Sequence, residues 1–170
     1  MMSKKMSKAL NEQLNFELYS SYIYASMGSW FKAQNLNGFA NWMNVQVKEE
    51  LDHAARFYGF MHDYEADVIL EAIPKPKSSW QSPEDVFQDT LKHEGLVTSR
   101  INNLIDLALS EKDHATNARL QWFITEQVEE EANDMEILQQ VKLIKNSPEA
   151  LILLDRELGQ RVYNPPPAEA

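Results

Sequence analysis

The stretch Glu65 to Gln81, EADVILEAIPKPKSSWQ, decides the fold of this chain. It contains Pro74 and Pro76 and separates two long segments whose apolar residues recur at helical spacing. Its seventeen residues reach roughly 55 Å when extended, whereas a helix of about 27 residues is only about 40 Å long. The stretch can therefore cross a whole helical bundle, so we expect the helices before and after it to run parallel.

The other connections are short and join helices into antiparallel pairs. A turn at 33–38 links the first two helices, and a turn before Ala115 links the next two. Ser82-Pro83 and Ser147-Pro148 each predict a helix start, because serine caps free backbone amides and proline fits the first helical turn. We predict helices at about 7–32, 37–64, 82–110, 115–145 and 148–161.

These connections predict an all-α fold, a four-helix bundle of up-up-down-down order with a long crossover and a short fifth helix. We expect a single domain over residues 1–164 and a mobile tail at 165–170, where Pro165, Pro166 and Pro167 disfavour a helix. The alternative, a plain up-down-up-down bundle, would not need so long a connection between the second and third helices.

The composition excludes several classes of protein. The 170 residues include no Cys, so disulfides, zinc–thiolate sites and thiol nucleophiles are excluded. The net charge of -10 argues against nucleic acid as a partner. The N-terminal residues lack the apolar run of a signal peptide, and no stretch approaches the ~20 apolar residues of a membrane span. We therefore expect a cytoplasmic protein with no membrane partner.

Each of the four long helices carries a glutamate in the middle of the apolar seam that faces the bundle core. The four are Glu17, Glu50, Glu94 and Glu130, and no Lys or Arg shares their seams. Burying an ionised carboxylate costs several kcal/mol unless it is paired or binds a metal ion. Because parallel second and third helices would bring the four to a similar height, the pattern predicts a metal site.

His53 follows Glu50 by one helical turn, in a Glu-x-x-His pattern. Chance alone gives roughly 0.6 acid-x-x-His matches in a chain of this composition, so the pattern counts only because it lies on a seam. A second match, Glu111 to His114, falls in a polar turn and is interpreted as solvated surface. Carboxylates with one imidazole suit iron or manganese.

The fourth helix carries Gln127 and Glu130 where di-iron bundles place a second Glu-x-x-His pair. We therefore expect an asymmetric site, with one metal ion held by His53 and the other by oxygen ligands only. The alternative at this point is an acidic bundle that binds no metal and whose true faces are rotated from the predicted ones.

Two further features have structural interpretations. Asp134 lies on the fourth seam, where a channel, a surface or a ligand-supporting role is open, and we expect a rotated, solvated position rather than a ligand. The run Leu151-Ile152-Leu153-Leu154 is apolar on all sides of a short helix, which its own chain would hide poorly. We expect this run in a contact between subunits.

Four segments together resemble prokaryotic non-haem ferritin, and the resemblance spans about residues 8–163. They are NEQLNFELYSSY at 11–22, EELDHA at 49–54, KHE at 92–94 and LQWFITEQVEEE at 120–131. The resemblance implies a hollow 24-subunit cage that oxidises Fe(II) to Fe(III) with O2 and stores hydrated ferric oxide. Hydrogen peroxide remains open as the oxidant in place of O2.

The resemblance also implies roles for individual residues. The first iron would be bound by Glu17, Glu50 and His53, and Glu50 would bridge to the second. The second iron would also be bound by Glu94, Gln127 and Glu130, and Tyr24 matches the tyrosine beside the centre. A third iron site would consist of Glu49, Glu126 and Glu129 together with Glu130.

Departures from related families narrow the prediction. Haem-binding bacterioferritins carry Met directly after the second-helix Glu and a second Glu-x-x-His, whereas this chain has Leu51 and the Gln127/Glu130 pair. We therefore predict no haem. Two alternatives to storage remain: a di-iron protein that processes O2 or peroxide and stores nothing, and a metal-free helical interaction module.

Overall fold

A computed structural model describes residues 2–165 of the chain. Of the tail predicted at 165–170, residues 166–170 lie outside the described residues. The regular structure of the described part is five α-helices: α1 Lys4–Ala33, α2 Asn37–Asp63, α3 Pro83–Glu111, α4 His114–Leu143 and α5 Pro148–Leu158. None of these helices combines the length and apolarity needed to cross a membrane.

Helix ends differ from the predicted ones where a cap was not recognised. The first helix begins at Lys4 rather than Ser7, because the Ser3 hydroxyl accepts a hydrogen bond from the Met6 amide at 2.9 Å. The predicted caps Ser82 and Ser147 do accept hydrogen bonds from amides three residues on. The fifth helix ends at Leu158, short of the predicted 161.

The long connection between α2 and α3 lies along α1. Near the start of α1, the Asn11 side chain donates to the Asp67 carbonyl at 2.8 Å and accepts from the Ile69 amide at 2.7 Å. Near the end of α1, the Ser26 hydroxyl donates to the Lys77 carbonyl at 2.7 Å. The connection therefore crosses the bundle and returns the chain to the end at which α2 began.

Packing at that end confirms the parallel arrangement. Phe87, in the first turns of α3, packs against Phe39 from the start of α2 and Phe31 from the end of α1. Because α2 and α3 start side by side, they run parallel, and the bundle has the predicted up-up-down-down order.

The core consists of two apolar clusters separated by a polar layer. One cluster surrounds Phe31, Phe39 and Phe87, and the other surrounds Phe57 and Phe123, whose rings stack at 4.4 Å. Fully burying a side chain of this size contributes about 1.5–3 kcal/mol. The two clusters therefore stabilise the ends of the bundle and leave the middle for polar groups.

The fifth helix packs against α2 of its own chain. Leu154 and Leu158 are buried in the first apolar cluster, whereas Ile152 and Leu153 stay exposed. The expectation that the chain would hide this helix poorly is therefore wrong for one face, because α5 lies across the start of α2.

A polar contact joins α5 to the N-terminus of α2. The α2 N-cap, Leu36, offers no side-chain acceptor, and Asp155 supplies one from α5. Its Oδ1 accepts from the Gly38 amide at 2.7 Å and from the Phe39 amide at 3.0 Å. A carboxylate at this position satisfies free amides and complements the helix dipole.

Replacing Gly38 with alanine is expected to displace α5. A Cβ at Gly38 would lie 1.4 Å from the Asp155 carbonyl oxygen and 2.9 Å from the Gly159 amide nitrogen. We expect a loss of about 1–3 kcal/mol in the free energy of unfolding, as for other overpacked contacts. Thermal denaturation at a fixed scan rate measures the effect.

Gly59→Ala provides the matched control on the same helix. Gly59 is exposed, and nothing lies within 4 Å of an added Cβ. This change should stabilise the protein by about 0.5–1 kcal/mol, because alanine favours a helix interior over glycine. Equal midpoints for Gly38→Ala and Gly59→Ala would contradict the close packing of α5 on α2.

Candidate metal centre

The six residues predicted to hold two metal ions lie in the polar layer of the bundle. All six are buried, and each residue is at most 4% exposed. The six are Glu17, Glu50, His53, Glu94, Gln127 and Glu130. The helical seams therefore place all of them in the interior, and the rotated-face alternative does not hold for these positions.

The first half of the centre is compact. Glu17, Glu50 and His53 each offer a ligand atom, and these atoms lie within 4.8 Å of one another. His53 Nδ1 is 3.5 Å from Glu50 Oε2. Among residues 2–165, this is the group of three acidic or histidine ligands that meets such a limit.

Two oxygen atoms in this half have no hydrogen-bond partner. Glu17 Oε2 and Glu50 Oε2 are buried and accept no hydrogen bond from the described residues. The other Glu17 oxygen accepts from Gln13 Nε2 at 2.8 Å. Buried polar atoms normally have a hydrogen-bond partner, so two buried oxygens without one indicate a place for a bound group. Both oxygens are available to bind a cation.

Burial strongly changes the acidity of this group. It raises the pKa of Glu17 to about 8, and the neighbouring Glu50 carboxylate acts in the same direction. Burial also raises the pKa of Glu50, with Glu94 and Glu130 adding to the effect. Negative charge is therefore unfavourable here without a cation, which would restore the ionised form.

The second half of the centre is held by hydrogen bonds. The Tyr24 hydroxyl donates to Glu94 Oε1, and Gln127 Nε2 donates to Glu94 Oε2 at 3.0 Å. Glu130 Oε2 accepts from Gln46 Nε2 at 2.9 Å. Burial, followed by the Glu130 charge, raises the pKa of Glu94 to about 7.

The two halves therefore differ in how closely their side chains are arranged for binding a metal ion. In the first half, ligand atoms already converge, whereas Glu94 and Glu130 are engaged by neutral amides and a phenol. A metal ion in the second half would have to replace these hydrogen bonds in order to bind Glu94 and Glu130.

The residues predicted for a third iron site lie beside the centre on α2 and α4. Glu49 and Glu126 are partly buried, and Glu129 is exposed. Burial raises the pKa of Glu49 to about 7, whereas its partner Arg161 acts in the opposite direction. Glu49 Oε2 accepts from Arg161 Nη2 at 2.7 Å.

Asp134 is not solvated, contrary to the sequence-based expectation. It lies one helical turn after Glu130, is fully buried, and neither carboxylate oxygen has a hydrogen-bond partner among the described residues. Burial raises its pKa well above the usual value, and Glu94 and Glu130 act in the same direction. Its place on the seam was the available signal, because a seam residue faces the core along the whole helix.

Three supporting residues were also missed. Arg100 Nε donates to Gln13 Oε1 at 2.9 Å, which orients the Gln13 amide to donate to Glu17. Gln46 orients Glu130 from the opposite helix. Gln13 and Gln46 each precede a centre glutamate by one turn, a spacing that could have identified them.

Fold and site together define a four-helix bundle with a buried carboxylate–histidine centre. The chain belongs to the ferritin-like family, since the family model described as "Ferritin-like domain" matches residues 7–144. It is 36% identical over 156 residues to a bacterial non-heme ferritin of Campylobacter jejuni, covering 92% of this chain and 93% of the relative.

Two other comparisons also cover nearly the whole length of both chains. A bacterial non-heme ferritin of Staphylococcus saprophyticus is 37% identical over 164 residues, covering 96% of this chain and 98% of the relative. The solved structure of an open pore ferritin from the archaeon Archaeoglobus fulgidus is 45% identical, with a TM-score of 0.94. That comparison covers 95% of this chain and 100% of the other.

Proposed function

We propose that this chain is the subunit of an iron-storage ferritin that oxidises Fe(II) at the buried centre. The 24 subunits would form a hollow cage in which ferric oxyhydroxide is deposited. The observation that carries the proposal is the buried Glu17, Glu50 and His53 group with its two unpartnered oxygens. The names of the relatives, ferritins from bacteria and an archaeon, support storage rather than another use of the centre.

The first iron ion would be bound by Glu17 and His53, with Glu50 as the bridge to the second. The second would be bound by Glu94 and Glu130. The four carboxylates carry four negative charges when ionised, which two Fe(II) ions neutralise. The asymmetric ligands make one iron position partly nitrogen-ligated and the other entirely oxygen-ligated.

Neutral groups near the second position would guide its ligands. Gln127 donates to Glu94 and lies one turn before Glu130 on α4. Tyr24 is fully buried and donates to the other Glu94 oxygen. We propose that both residues orient Glu94, and that Tyr24 also shields it from water.

Oxidation of two Fe(II) ions releases two electrons, which O2 accepts with two protons to become hydrogen peroxide. Each Fe(III) ion then reacts with two water molecules, giving FeO(OH) and three protons. The protein supplies a water-poor site that holds both metal ions at once, so that two electrons are available to one O2 molecule. No haem takes part in the proposed reaction.

Glu49, Glu126 and Glu129 would form, with Glu130, a third iron site beside the centre. Glu130 would then belong to both sites. Since Glu126 and Glu129 are less buried than the centre residues, this site would connect the bundle interior with the cage cavity. Iron would pass through it before mineral forms.

Aerobic iron loading tests the storage function. Several hundred Fe(II) ions per assembled particle are added in air, and retained iron and particle size are then measured after gel filtration. We expect the iron to co-elute with a large hollow particle that acquires an electron-dense core. A small oligomer that oxidises Fe(II) but retains only a few ions per subunit would instead favour the non-storing di-iron alternative.

A further inference from the structure

The residues after α5 lie back along α2. The Asn41 side chain donates to the Arg161 carbonyl at 2.9 Å, and the Tyr163 hydroxyl donates to the Asp52 carboxylate. The Lys48 amine lies 5.3 Å from the centre of the Tyr163 ring. We call residues 159–165 the α2 strap, because these contacts fasten them to successive turns of α2.

Arg161 is the strap residue that reaches the predicted iron ligands. Its Nη2 donates to Glu49 Oε2 at 2.7 Å, and its Nη1 donates to Gln46 Oε1. The guanidinium carbon lies 3.8 Å from the centre of the Trp42 ring. The Arg161 and Glu49 side chains are only 17% and 19% exposed, so water screens their attraction weakly.

The same guanidinium also acts on Glu130 through one intervening residue. Gln46 accepts from Arg161 with its oxygen and donates to Glu130 with its nitrogen, at 2.9 Å. The bond from Arg161 therefore fixes which way the Gln46 amide points. Arg161 touches one ligand of the proposed third iron site and orients a second.

We propose that Arg161 is a positioning residue that holds the place of a cation at the third iron site. A metal ion could bind Glu49 fully only after displacing the guanidinium. The inference rests on the proposed function, because it requires Glu49, Glu126, Glu129 and Glu130 to bind metal.

Two properties of arginine suit this role. Its guanidinium stays charged at every physiological pH, so it competes with metal ions for Glu49 throughout that range. It also forms two bonds in a fixed fork, which lets it return to Glu49 and Gln46 in the same geometry. Iron would therefore be held weakly at the third site and would move on towards the cavity instead of accumulating there.

Titration of the assembled, metal-free protein with Zn²⁺ alone tests the inference without oxidation chemistry. Isothermal calorimetry measures both the number of sites and their affinities, and Glu129→Ala identifies the third class of site by removing it. In Arg161→Ala, we expect Zn²⁺ to bind the third class about tenfold more tightly, because one charge-assisted hydrogen bond no longer has to be broken. The centre position of Glu17, Glu50 and His53, which Arg161 does not orient, should keep its affinity.

Arg156→Ala is the matched control, since Arg156 is an exposed arginine on α5. It removes the same charge and should leave all affinities unchanged. Arg161→Lys keeps the charge but loses the fork, so it should restore only part of the competition. Tyr163→Phe loosens the strap without changing the guanidinium, so a smaller increase in third-class affinity is expected from it.

An unchanged or weaker third class in both Arg161→Ala and Tyr163→Phe would overturn the inference, because a purely structural strap predicts that result. Absence of Zn²⁺ binding at the centre in the parent protein is a different outcome. It would contradict the proposed function itself and, with it, the inference that depends on it.

Discussion

Glu50→Ala is expected to abolish rapid Fe(II) oxidation while the protein remains folded and assembled. In the proposed centre, Glu50 is the carboxylate shared by both metal ions, so its loss removes a ligand from each. Removal of a group that only supports a metal ligand typically costs 10–100-fold, so we expect a loss of at least ~100-fold in the initial rate. Stopped-flow absorbance of Fe(III) after mixing Fe(II) with aerated protein measures this rate.

Loss of activity in this variant should not come from unfolding. Glu50 is 1% exposed, and one of its oxygens has no hydrogen-bond partner. Because a buried carboxyl without full partners destabilises the metal-free protein, alanine should preserve the thermal midpoint or raise it. Particle size by gel filtration should also match that of the parent protein.

The chain contains its own control for the Glu-x-x-His pattern. Glu111 and His114 have the same spacing as Glu50 and His53, but both are exposed at the turn between α3 and α4. Glu111 accepts a hydrogen bond from the Ser3 hydroxyl at 2.6 Å. Glu111→Ala should therefore oxidise Fe(II) at the parent rate, and parent-like rates in Glu50→Ala as well would refute the assignment of the centre.

The metal-free protein is expected to lose stability as the pH rises from about 5 to 9. The pKa of Glu17 is raised to about 8 and that of Glu94 to about 7, mainly by burial. A carboxyl with a raised pKa binds its proton more tightly in the folded than in the unfolded state. Its contribution is therefore most favourable below the unfolded pKa of about 4 and is lost as the pH rises through the folded pKa.

The size of the effect should be several kcal/mol, since one pKa unit corresponds to about 1.4 kcal/mol. Thermal midpoints at pH 6, 7, 8 and 9 measure it, at one ionic strength and scan rate. Zn²⁺ should raise the midpoint most at high pH, because the metal ion neutralises the carboxylates that the rising pH ionises.

Variants on α1 locate the origin of this pH dependence. Glu17→Gln keeps a neutral side chain at every pH and should flatten the profile. Glu12→Gln changes an exposed carboxylate on the same helix and should leave the profile as in the parent. A metal-free midpoint that rises steadily between pH 6 and 9 would contradict the burial of uncompensated carboxyls.

Much of the fold was predictable because it depends on local pattern and chain length. The stretch from Glu65 to Gln81 is long enough to cross the bundle, which implies the parallel α2 and α3. Periodicity placed the four seam glutamates in the interior, and all four are buried. Helix ends were less predictable, since the start at Lys4 depends on one serine hydroxyl.

The surroundings of the centre were less accessible to sequence reasoning. Asp134 looked like a solvated seam residue, because its pattern does not reveal how closely α4 faces its neighbours. Gln13 and Gln46 carried a positional signal, one turn before Glu17 and Glu50. However, Arg100, which orients Gln13, and Glu130, which accepts from Gln46, lie on other helices. Nothing in the sequence around Glu49 indicated that Arg161 is its partner.

The sequence by itself determined the helices, their order and the kind of ligand in the polar layer. These properties follow from apolar periodicity, connection length and side-chain chemistry. Only the tertiary structure decided that Glu17, Glu50 and His53 converge while Glu94 and Glu130 are held by hydrogen bonds. It also decided that Arg161 pairs with Glu49, 112 positions away, because such contacts depend on how α5 packs across the start of α2.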